Sequence, residues 1–592
     1  MQSAGKLYEQ NISSYKALLV ANKRKSNLAS LFRLVSFLIF SGSIYACFSS
    51  FNYDWLASSV LFGSLFLVLV RVSFRLKDQR LLYEKLVLIN TNELNVLRND
   101  PSFFDDGRSF QSEMSYLGDL DIFGSGSLYH LLNRATTSHG KQSLAYALQD
   151  SFYQKSEIES VQDALRTLSG QVQKRQMITA LGMLYEEKEE NLRDVYSWLE
   201  IQTKLTGRLP VRILRWTLPA LSLSAAYYYL ASDHILPLTL FISANWILTG
   251  YFLRYINRQH GLLSKKQQIL DQYTAILRSF CDLETGSSAT LERMKGSCTE
   301  AHRSIQHLSR LSQLFDQRLN LLVNILMNSF LLYDLQCTVE LEKWKEKNKT
   351  KLPDWYRSVG NIECLNSLAS FAFNNPGYAY PVVTEETISI TATQIAHPLI
   401  PGKERIANDI VIGKEDQVHL ITGSNMSGKT TFLRTLGVNM ILAQCGAPVC
   451  AATLVFRPMK ILSSVRISDS LHDHTSYFMA ELERLQEIIQ CLEEKQPALV
   501  LIDEILRGTN SEDKTHGSEK FIQKLLNYPC LSLFATHDLT LGKMEKLFPG
   551  KIRNYCFESE IRHEELYFDY SLRSGIAKNK NASFLMDKMG IT

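Results

Sequence analysis

The sequence lacks the patterns that mark several common protein classes. Its ten cysteines include no Cys-x-x-Cys pair and have no His-rich tract beside them, which argues against a structural zinc site and a disulfide framework. Scattered thiols are typical of a reducing, cytosolic compartment. No secretory signal is recognised, because the first 30 residues are polar and mixed in charge.

A strong charge of one sign is also missing, since the formal net charge is +4 over 592 residues. This balance neither requires nor excludes nucleic acid as a partner, because a basic groove can lie within a near-neutral total. Apolar residues at 45% and charged residues at 21% describe an ordinary folded protein. The length exceeds what one hydrophobic core supports, so we expect several domains.

Two regions are almost free of charged residues, and each holds two apolar stretches. The stretches are residues 34–53 and 55–71 in the first region, and residues 216–232 and 235–253 in the second. Each is close to the length of about 20 residues that crosses a bilayer. Lys and Arg flank the outer ends, whereas the turns near Asn52–Asp54 and Ser232–His234 carry neither.

By the positive-inside rule, this charge distribution predicts two transmembrane hairpins whose long connections face the cytoplasm. We therefore expect a multi-pass protein of a bacterial inner membrane, with four transmembrane segments. The alternative is that these stretches are buried helices of a large soluble helical domain.

The rest of the chain divides by its periodicity. Apolar residues recur at three- and four-residue spacing in residues 78–213 and 255–345, which predicts helices. Beyond about residue 375, β-branched apolar runs alternate with helical stretches, as in a parallel α/β sheet. The predicted domains are an N-terminal helical region with the first hairpin, a helical domain interrupted by the second hairpin, and an α/β domain: residues 1–115, 116–375 and 376–592.

The run VHLITGSNMSGKTTFLRTLG carries the most specific motif, because an apolar strand precedes and a helix follows a G-x-x-x-x-G-K-T sequence. Glycines let backbone N–H groups surround phosphates, and the helix N-terminus adds a favourable dipole. Lys429 would contact the β- and γ-phosphates, and Thr430 would ligate Mg²⁺. The candidate nucleotide-binding residues here are Gly423, Ser424, Asn425, Met426, Ser427, Gly428, Lys429, Thr430 and Thr431.

Two further strand ends carry candidate catalytic residues. PALVLIDEILRGTNSED contains an apolar strand that ends in Asp503 and Glu504, two carboxylates that are costly to bury without a charged partner. Asp503 would hold Mg²⁺ through water, and Glu504 would orient or deprotonate the attacking water. The run LSLFATHDL contains a second apolar strand, which ends just before His537. His537 is thus in position to sense a γ-phosphate. Together these motifs predict an ATPase that uses ATP and Mg²⁺.

These runs resemble the MutS family of DNA mismatch-repair ATPases, whose ATPase domain is of the P-loop ABC type. TGSNMSGKTTFLR is similar to the family's phosphate loop, LVLIDEILRGTNSED to its Walker B strand and D-loop, and FATHDL to its switch segment. SYFMAE, which begins at Ser476, resembles the family's counterpart of the ABC signature. The resemblance implies that Ser476 reaches the γ-phosphate of ATP bound by a second subunit, so that the protein is a homodimer. It also implies that Ile406 and Asn408 lie on the adenine side.

The resemblance covers about residues 120–210 and 300–592. The first part is similar to the opening of the family's helical core, with Thr136, Thr137 and Gly140 in its pattern. Near the end of the helical domain, ECLNSLASFAF is similar to the helix that returns to the ATPase.

The parts that grip DNA in the family differ here. Residues 1–110 contain no Phe-x-Glu triplet in an α/β context, and the second hairpin falls where the family places its DNA clamp. Two functions therefore stay open. One is a membrane-anchored MutS-family ATPase that binds mismatched DNA. The other is a membrane mechanochemical ATPase with no DNA role, which would act in transport or remodelling. A full ABC transporter fits less well, because the transporter signature LSGGQ is absent and four spans are few.

Overall fold

Helices dominate the chain as far as Asn374, and two β-sheets follow. The computed structural model describes residues 2–50, 52–111, 115–150, 154–187, 189–264, 266–466, 477–506, 510–562 and 565–578. The helices before the sheets are α1 Gln2–Ser49, α2 Tyr53–Leu97, α3 Ser115–Asp119, α4 Leu128–Leu132, α5 Ser138–Gln149, α6 Lys155–Ser169, α7 Val172–Gly182, α8 Glu189–Glu200, α9 Leu209–Ser232, α10 Leu236–Leu263, α11 Gln267–Cys281, α12 Ala289–Asp316, α13 Leu321–Leu331, α14 Tyr333–Asn348 and α15 Leu352–Asn374.

The C-terminal part alternates strands with helices. Its elements are β1 Val382–Val383, β2 Ile390–Ile395, β3 Asn408–Ile412, β4 Val418–Thr422, α16 Lys429–Gln444, β5 Thr453–Phe456, β6 Lys460–Ser464, α17 Tyr477–Glu493, β7 Ala498–Asp503, α18 Ser511–Leu525, β8 Cys530–Thr536, α19 Met544–Leu547, β9 Ile552–Arg562 and β10 Glu565–Ser574.

The larger sheet has six strands in the order β10-β9-β4-β8-β7-β6. All of its neighbouring pairs are parallel except β9 and β10. Every residue of β4, β7 and β8 is buried, as expected for strands covered on both faces. The predicted parallel sheet is confirmed, whereas the antiparallel edge and the second, four-stranded sheet β1-β5-β2-β3 were not predicted.

The first predicted hairpin is a pair of long helices, α1 and α2, that pack along each other. The Asn52 side chain accepts a hydrogen bond from the backbone N of Asp54 and caps the start of α2. Toward this turn the helices expose apolar side chains, such as Phe48 and Leu61. At the opposite end, Tyr8 and Leu86 are buried in clusters that include residues of α7. The predicted hairpin of two helices joined by a tight turn is thus confirmed.

The candidate membrane spans differ from the predicted set of four. Among the described residues, α1, α2 and α10 are each long and apolar enough to cross a bilayer. The predicted span at residues 216–232 lies in α9, which is not among them, because serines and tyrosines dilute its apolar side chains. A bent pair, α13 with α14, is a further candidate that the sequence analysis missed.

A buried carboxylate joins the two ends of the helical domain. Glu363 of α15 is 1% exposed, and its oxygens accept hydrogen bonds from the backbone N and the hydroxyl of both Thr136 and Thr137. Thr137 in turn caps α5 by accepting from the backbone N of Gly140. The carboxylate thus lies at the positive end of the α5 dipole. This contact explains why two threonines and a glycine stand together in the sequence.

Replacing Gly140 by alanine tests this packing. A Cβ there would lie 2.0 Å from Oε2 of Glu363, so Gly140→Ala should lower stability by roughly 1–3 kcal/mol through overpacking. The expected result is a lower midpoint of thermal unfolding, followed by circular dichroism of the detergent-solubilised protein. The matched control is Gly296→Ala in α12, where a Cβ meets nothing within 4 Å and removing helical glycine should stabilise by about 0.5–1 kcal/mol. Equal midpoints for the two variants would contradict the packing role.

Candidate active site

A cavity of about 550 Å³ lies where β4 and β7 of the larger sheet end. Ligands of α/β sheets bind at the carboxyl ends of parallel strands. The cavity wall includes these residues that the sequence predicted: Ile406, Asn408, Asn425, Met426, Ser427, Gly428, Lys429, Thr430, Thr431, Asp503 and Glu504. One cavity therefore collects candidates from three separate parts of the sequence.

The glycine-rich loop joins β4 to α16. Gly428 has φ 104°, a left-handed conformation that favours glycine, and α16 begins at the next residue, Lys429. The Lys429 ammonium donates to the carbonyl oxygens of Gly423 and Ser424, at 2.8 and 2.9 Å. Because the first N–H groups of a helix have no intrahelical partner, this corner suits an anion.

Two oxygen donors meet beside the lysine. The Thr430 hydroxyl donates to Oδ2 of Asp503 at 2.5 Å, across 73 residues of sequence. A hydroxyl and a carboxylate are hard oxygen ligands, which Mg²⁺ prefers, and Mg²⁺ commonly binds through one or two carboxylates together with substrate phosphates. No group of three or more His, Cys, Asp or Glu side chains suited to a metal occurs in the described ranges. The donor set fits a magnesium ion that is shared with phosphates.

The two candidate catalytic residues contact each other. Glu504 follows β7 directly, and its backbone N donates to the carbonyl oxygen of Ala535 in β8 at 2.9 Å. Its carboxylate lies 3.1 Å from Nδ1 of His537 and 3.9 Å from Nζ of Lys429. Glu504 also has φ 49°, a strained conformation that surrounding contacts must hold and that is common at functional sites. The carboxylate is therefore fixed at the edge of the cavity.

Asn408, which lines the cavity, also bonds to the C-terminal strands. Its Nδ2 donates to the carbonyl oxygen of Tyr570, and its Oδ1 accepts from the backbone N of Leu572. These bonds hold an irregularity in the β9–β10 pairing, where Tyr570 has φ 54°. Asn408 thus orients Tyr570, whose side chain forms part of the cavity wall.

Sequence reasoning missed Tyr570 as a site residue, together with Phe557 and Glu404, which also line the cavity, as does His397. None belongs to a phosphate or metal motif, and only the folded sheet brings the C-terminal strands over the glycine-rich loop. Burial, together with the nearby Arg434, lowers the pKa of His397 to about 4. Its imidazole is therefore neutral near pH 7.

Ser476, the residue predicted to act in a second subunit's site, lies outside the described residues, and its role stays a prediction. Five residues later, Glu481 in α17 is buried and accepts a hydrogen bond from the backbone N of Leu506 at 2.6 Å. This bond ties the start of α17 to the segment that follows Glu504.

The helical domain contacts the site through two aspartates that follow one another closely. Asp119, at the end of α3, accepts hydrogen bonds from the hydroxyl of Ser463 and from the backbone N of Val465. Asp121 forms an ion pair of 2.8 Å with Arg434 of α16, the helix that follows the glycine-rich loop. The phosphate-loop helix is thus attached directly to the helical domain.

A comparison with known protein families matches the C-terminal part of the chain. Residues 419–586 match the family model described as MutS domain V. Over 247 residues, the chain is 33% identical to the DNA mismatch repair protein MutS of Clostridium botulinum strain Langeland, a match that covers 40% of this chain and 26% of that protein. Over 307 residues, it is 30% identical to MutS protein homolog 4 of Homo sapiens, which covers 50% of this chain and 29% of that protein.

The matched stretch is a small part of each relative, less than a third of its length. The glycine-rich loop, the Asp503–Glu504 pair and His537 all fall within the region that the family model matches. Through this C-terminal domain, the chain belongs to the MutS family.

Proposed function

We propose that this protein binds ATP in the cavity and hydrolyses it with the help of Mg²⁺. The observation that carries the proposal is the meeting of Lys429, Thr430, Asp503 and Glu504 at one cavity beside a helix N-terminus. Lys429 and the loop N–H groups would hold the phosphates, and Thr430 with Asp503 would hold the metal ion. Bound Mg²⁺ supplies charge neutralisation at the phosphates.

Glu504 would accept a proton from the attacking water or orient it. Its contact with His537 supports this role, because the imidazole lies 3.1 Å from the carboxylate and limits its rotation. By the same proposal, the domain is of the ABC type and two copies of the chain close on ATP, with Ser476 of each copy facing the loop of the other.

The substitution Glu504→Gln removes the proton acceptor and keeps the side chain's size. We expect nucleotide binding to stay near its original affinity while turnover falls by roughly 10²–10⁴-fold, the usual contribution of general acid–base catalysis. Phosphate release and binding of a fluorescent ATP analogue measure the two properties separately. Glu415→Gln is the control, because that surface carboxylate is 77% exposed and lies outside the cavity wall. Unchanged turnover in Glu504→Gln would remove the role given to this residue.

Tyr570 would form the wall against the base of the nucleotide. Stacking of a base on an aromatic ring contributes about 1–3 kcal/mol, so Tyr570→Ala should weaken ATP binding by roughly tenfold with little change in the maximal rate. Tyr570→Phe keeps the ring and should keep the affinity. If Tyr570→Ala binds ATP as tightly as the original protein does, the base lies elsewhere.

We further propose that the protein is anchored in a membrane through α1, α2 and the α9–α10 pair. Helices α1, α2 and α10 have mean hydropathies of 1.8, 2.0 and 1.4 in their apolar windows, and at most 17% of each window is buried. Soluble monomers rarely expose apolar surface on this scale. The Lys and Arg residues at the helix bases favour a cytoplasmic ATPase domain in a bacterial inner membrane.

Two candidates exist for what the ATPase acts on. The relatives' names favour mismatched DNA, and this would make the protein a membrane-anchored member of a DNA-repair family. The second candidate is a mechanochemical ATPase that acts on the membrane or on transport and has no DNA role. It is favoured because the long helices α1 and α2 occupy the N-terminal region, where no Phe-x-Glu triplet occurs.

Binding of homoduplex and mismatched DNA to the detergent-solubilised protein separates the two candidates. A DNA-linked ATPase should prefer the mismatch, and its affinity should fall steeply with salt, since each neutralised phosphate contributes a slope of about −0.9 in log K against log salt. The absence of both the preference and the slope would reject the DNA candidate and favour the mechanochemical one. An excess of unlabelled homoduplex serves as the control for non-specific binding.

A further inference from the structure

Helix α13 presents a face of large apolar side chains to the outside. Leu321 and Leu322 are 71% and 72% exposed, and Ile325 and Leu326 are 46% and 58% exposed. Residues spaced in this way lie along one side of a helix. The polar residues of α13 are Asn324, Asn328 and Ser329, and the last two are buried near the end of the helix.

Near the end of α13, Ser329 forms hydrogen bonds with side chains of α10. The carbonyl oxygen of Ser329 accepts from Nδ2 of Asn245 at 2.7 Å, and its hydroxyl accepts from Nε1 of Trp246 at 3.1 Å. Nδ2 of Asn245 also donates to the hydroxyl of Ser222 in α9. Such internal bonding is what a hydrocarbon environment requires, because lipid offers no hydrogen-bond partners.

The contact with Asn245 gives the depth of α13. Asn245 lies in the middle of the apolar stretch of α10, nine residues before Arg254, the first charged residue after that stretch. At 1.5 Å per residue, this separation is about 13 Å along the helix. Ser329 thus lies level with the interior of the stretch rather than with its charged end.

The residues that flank α13 nevertheless lie on the same side. Arg318, before the helix, forms an ion pair of 3.0 Å with Asp334, after it, and also donates to Oδ1 of Asn257 on α10, beyond Arg254. A helix of 11 residues is about 16 Å long, roughly half of the 30 Å hydrocarbon core. The segment therefore enters and returns without crossing.

The next helix, α14, belongs to the helical domain and does not complete a span. It turns by 82° from α13, and its buried Glu342 accepts from the backbone N of Lys204, Leu205 and Thr206. Seven of the 16 residues of α14 are charged, and charged residues are rare in membrane-spanning segments.

We propose that α13 is a re-entrant membrane element, immersed from the side of the helical domain into one leaflet beside α10, with phospholipid acyl chains against its apolar face. This inference rests on the proposed membrane anchoring and adds an element to it. The occupant is lipid because α13 packs beside α10, whose own apolar side chains include Ile247 and Tyr251, 74% and 75% exposed. Through α14 and α15, this element connects to the start of the ATPase domain.

Photolabelling of the full-length protein in lipid nanodiscs tests the proposal. The probe is a phosphatidylglycerol that carries a diazirine in its acyl chain, and labelled peptides are mapped by mass spectrometry. We expect adducts on the α13 peptide at a yield within about threefold of the α10 peptide around Ile247, because both face hydrocarbon. The α12 peptide around Arg293 should stay unlabelled. Ile325→Lys should lower the α13 yield several-fold and leave the α10 yield unchanged.

The possible outcomes separate this inference from the membrane proposal. Labelling of α10 without α13 would overturn the re-entrant element and leave the anchoring intact. Absence of adducts on α1, α2 and α10 as well would overturn the anchoring itself and the re-entrant element with it.

Discussion

The carboxylate of Glu363 accepts hydrogen bonds from two consecutive threonines at the start of α5. Burial raises the pKa of this carboxyl group, although the hydrogen bonds act to lower it. The interaction sets the position of α15 along the helical domain, because Gly140 and Gly360 let α5 and α15 approach closely. Helix α15 leads directly into the two sheets. The placement of the C-terminal α/β domain against the helical domain therefore depends in part on how this carboxylate is held.

The same helix also carries the contact with the first hairpin. Asn374, its last residue, donates to Glu93 of α2 and accepts from the Tyr8 hydroxyl of α1, each at 2.7 Å. Glu93 is also paired with Arg134, and both side chains are 4% exposed. Breaking such a buried pair leaves an uncompensated charge, which is strongly destabilising. The base of the hairpin is thus fixed to the point where the ATPase domain begins.

A second set of contacts approaches the phosphate loop from the other side. Asp121 pairs with Arg434 on α16, and a Cβ at position 437 of that helix would lie 2.8 Å from the methyl groups of Leu120, which would have to move. A change in the position of α16 therefore requires a change in the segment that precedes α4. Together with α15, this segment gives the C-terminal α/β domain two attachments to the helical part of the chain.

Much of the active site could be predicted from sequence, because its chemistry comes from short runs. Glycines, a lysine and a threonine within eight consecutive residues specify a phosphate loop, and the Asp503–Glu504 pair stands at the end of an apolar strand. Each of these signals is local, so no knowledge of distant contacts is needed to read it. The hairpin turns were equally local, since they lie between apolar stretches of helical length.

What the sequence could not provide depends on pairing between distant segments. Tyr570 joins the cavity only because Asn408, 162 residues earlier, holds a bulge in β10, and α13 is too short and too interrupted by asparagines to stand out as a membrane element. The sequence by itself determined the glycine-rich loop, the candidate metal ligands Thr430 and Asp503 and the apolar helices, because these follow from residue type and local spacing. Only the tertiary structure decided which side chains close the cavity. It also brought together Arg318 and Asp334, the residues before and after α13. Both features depend on hydrogen bonds and ion pairs between residues that are separated in the chain.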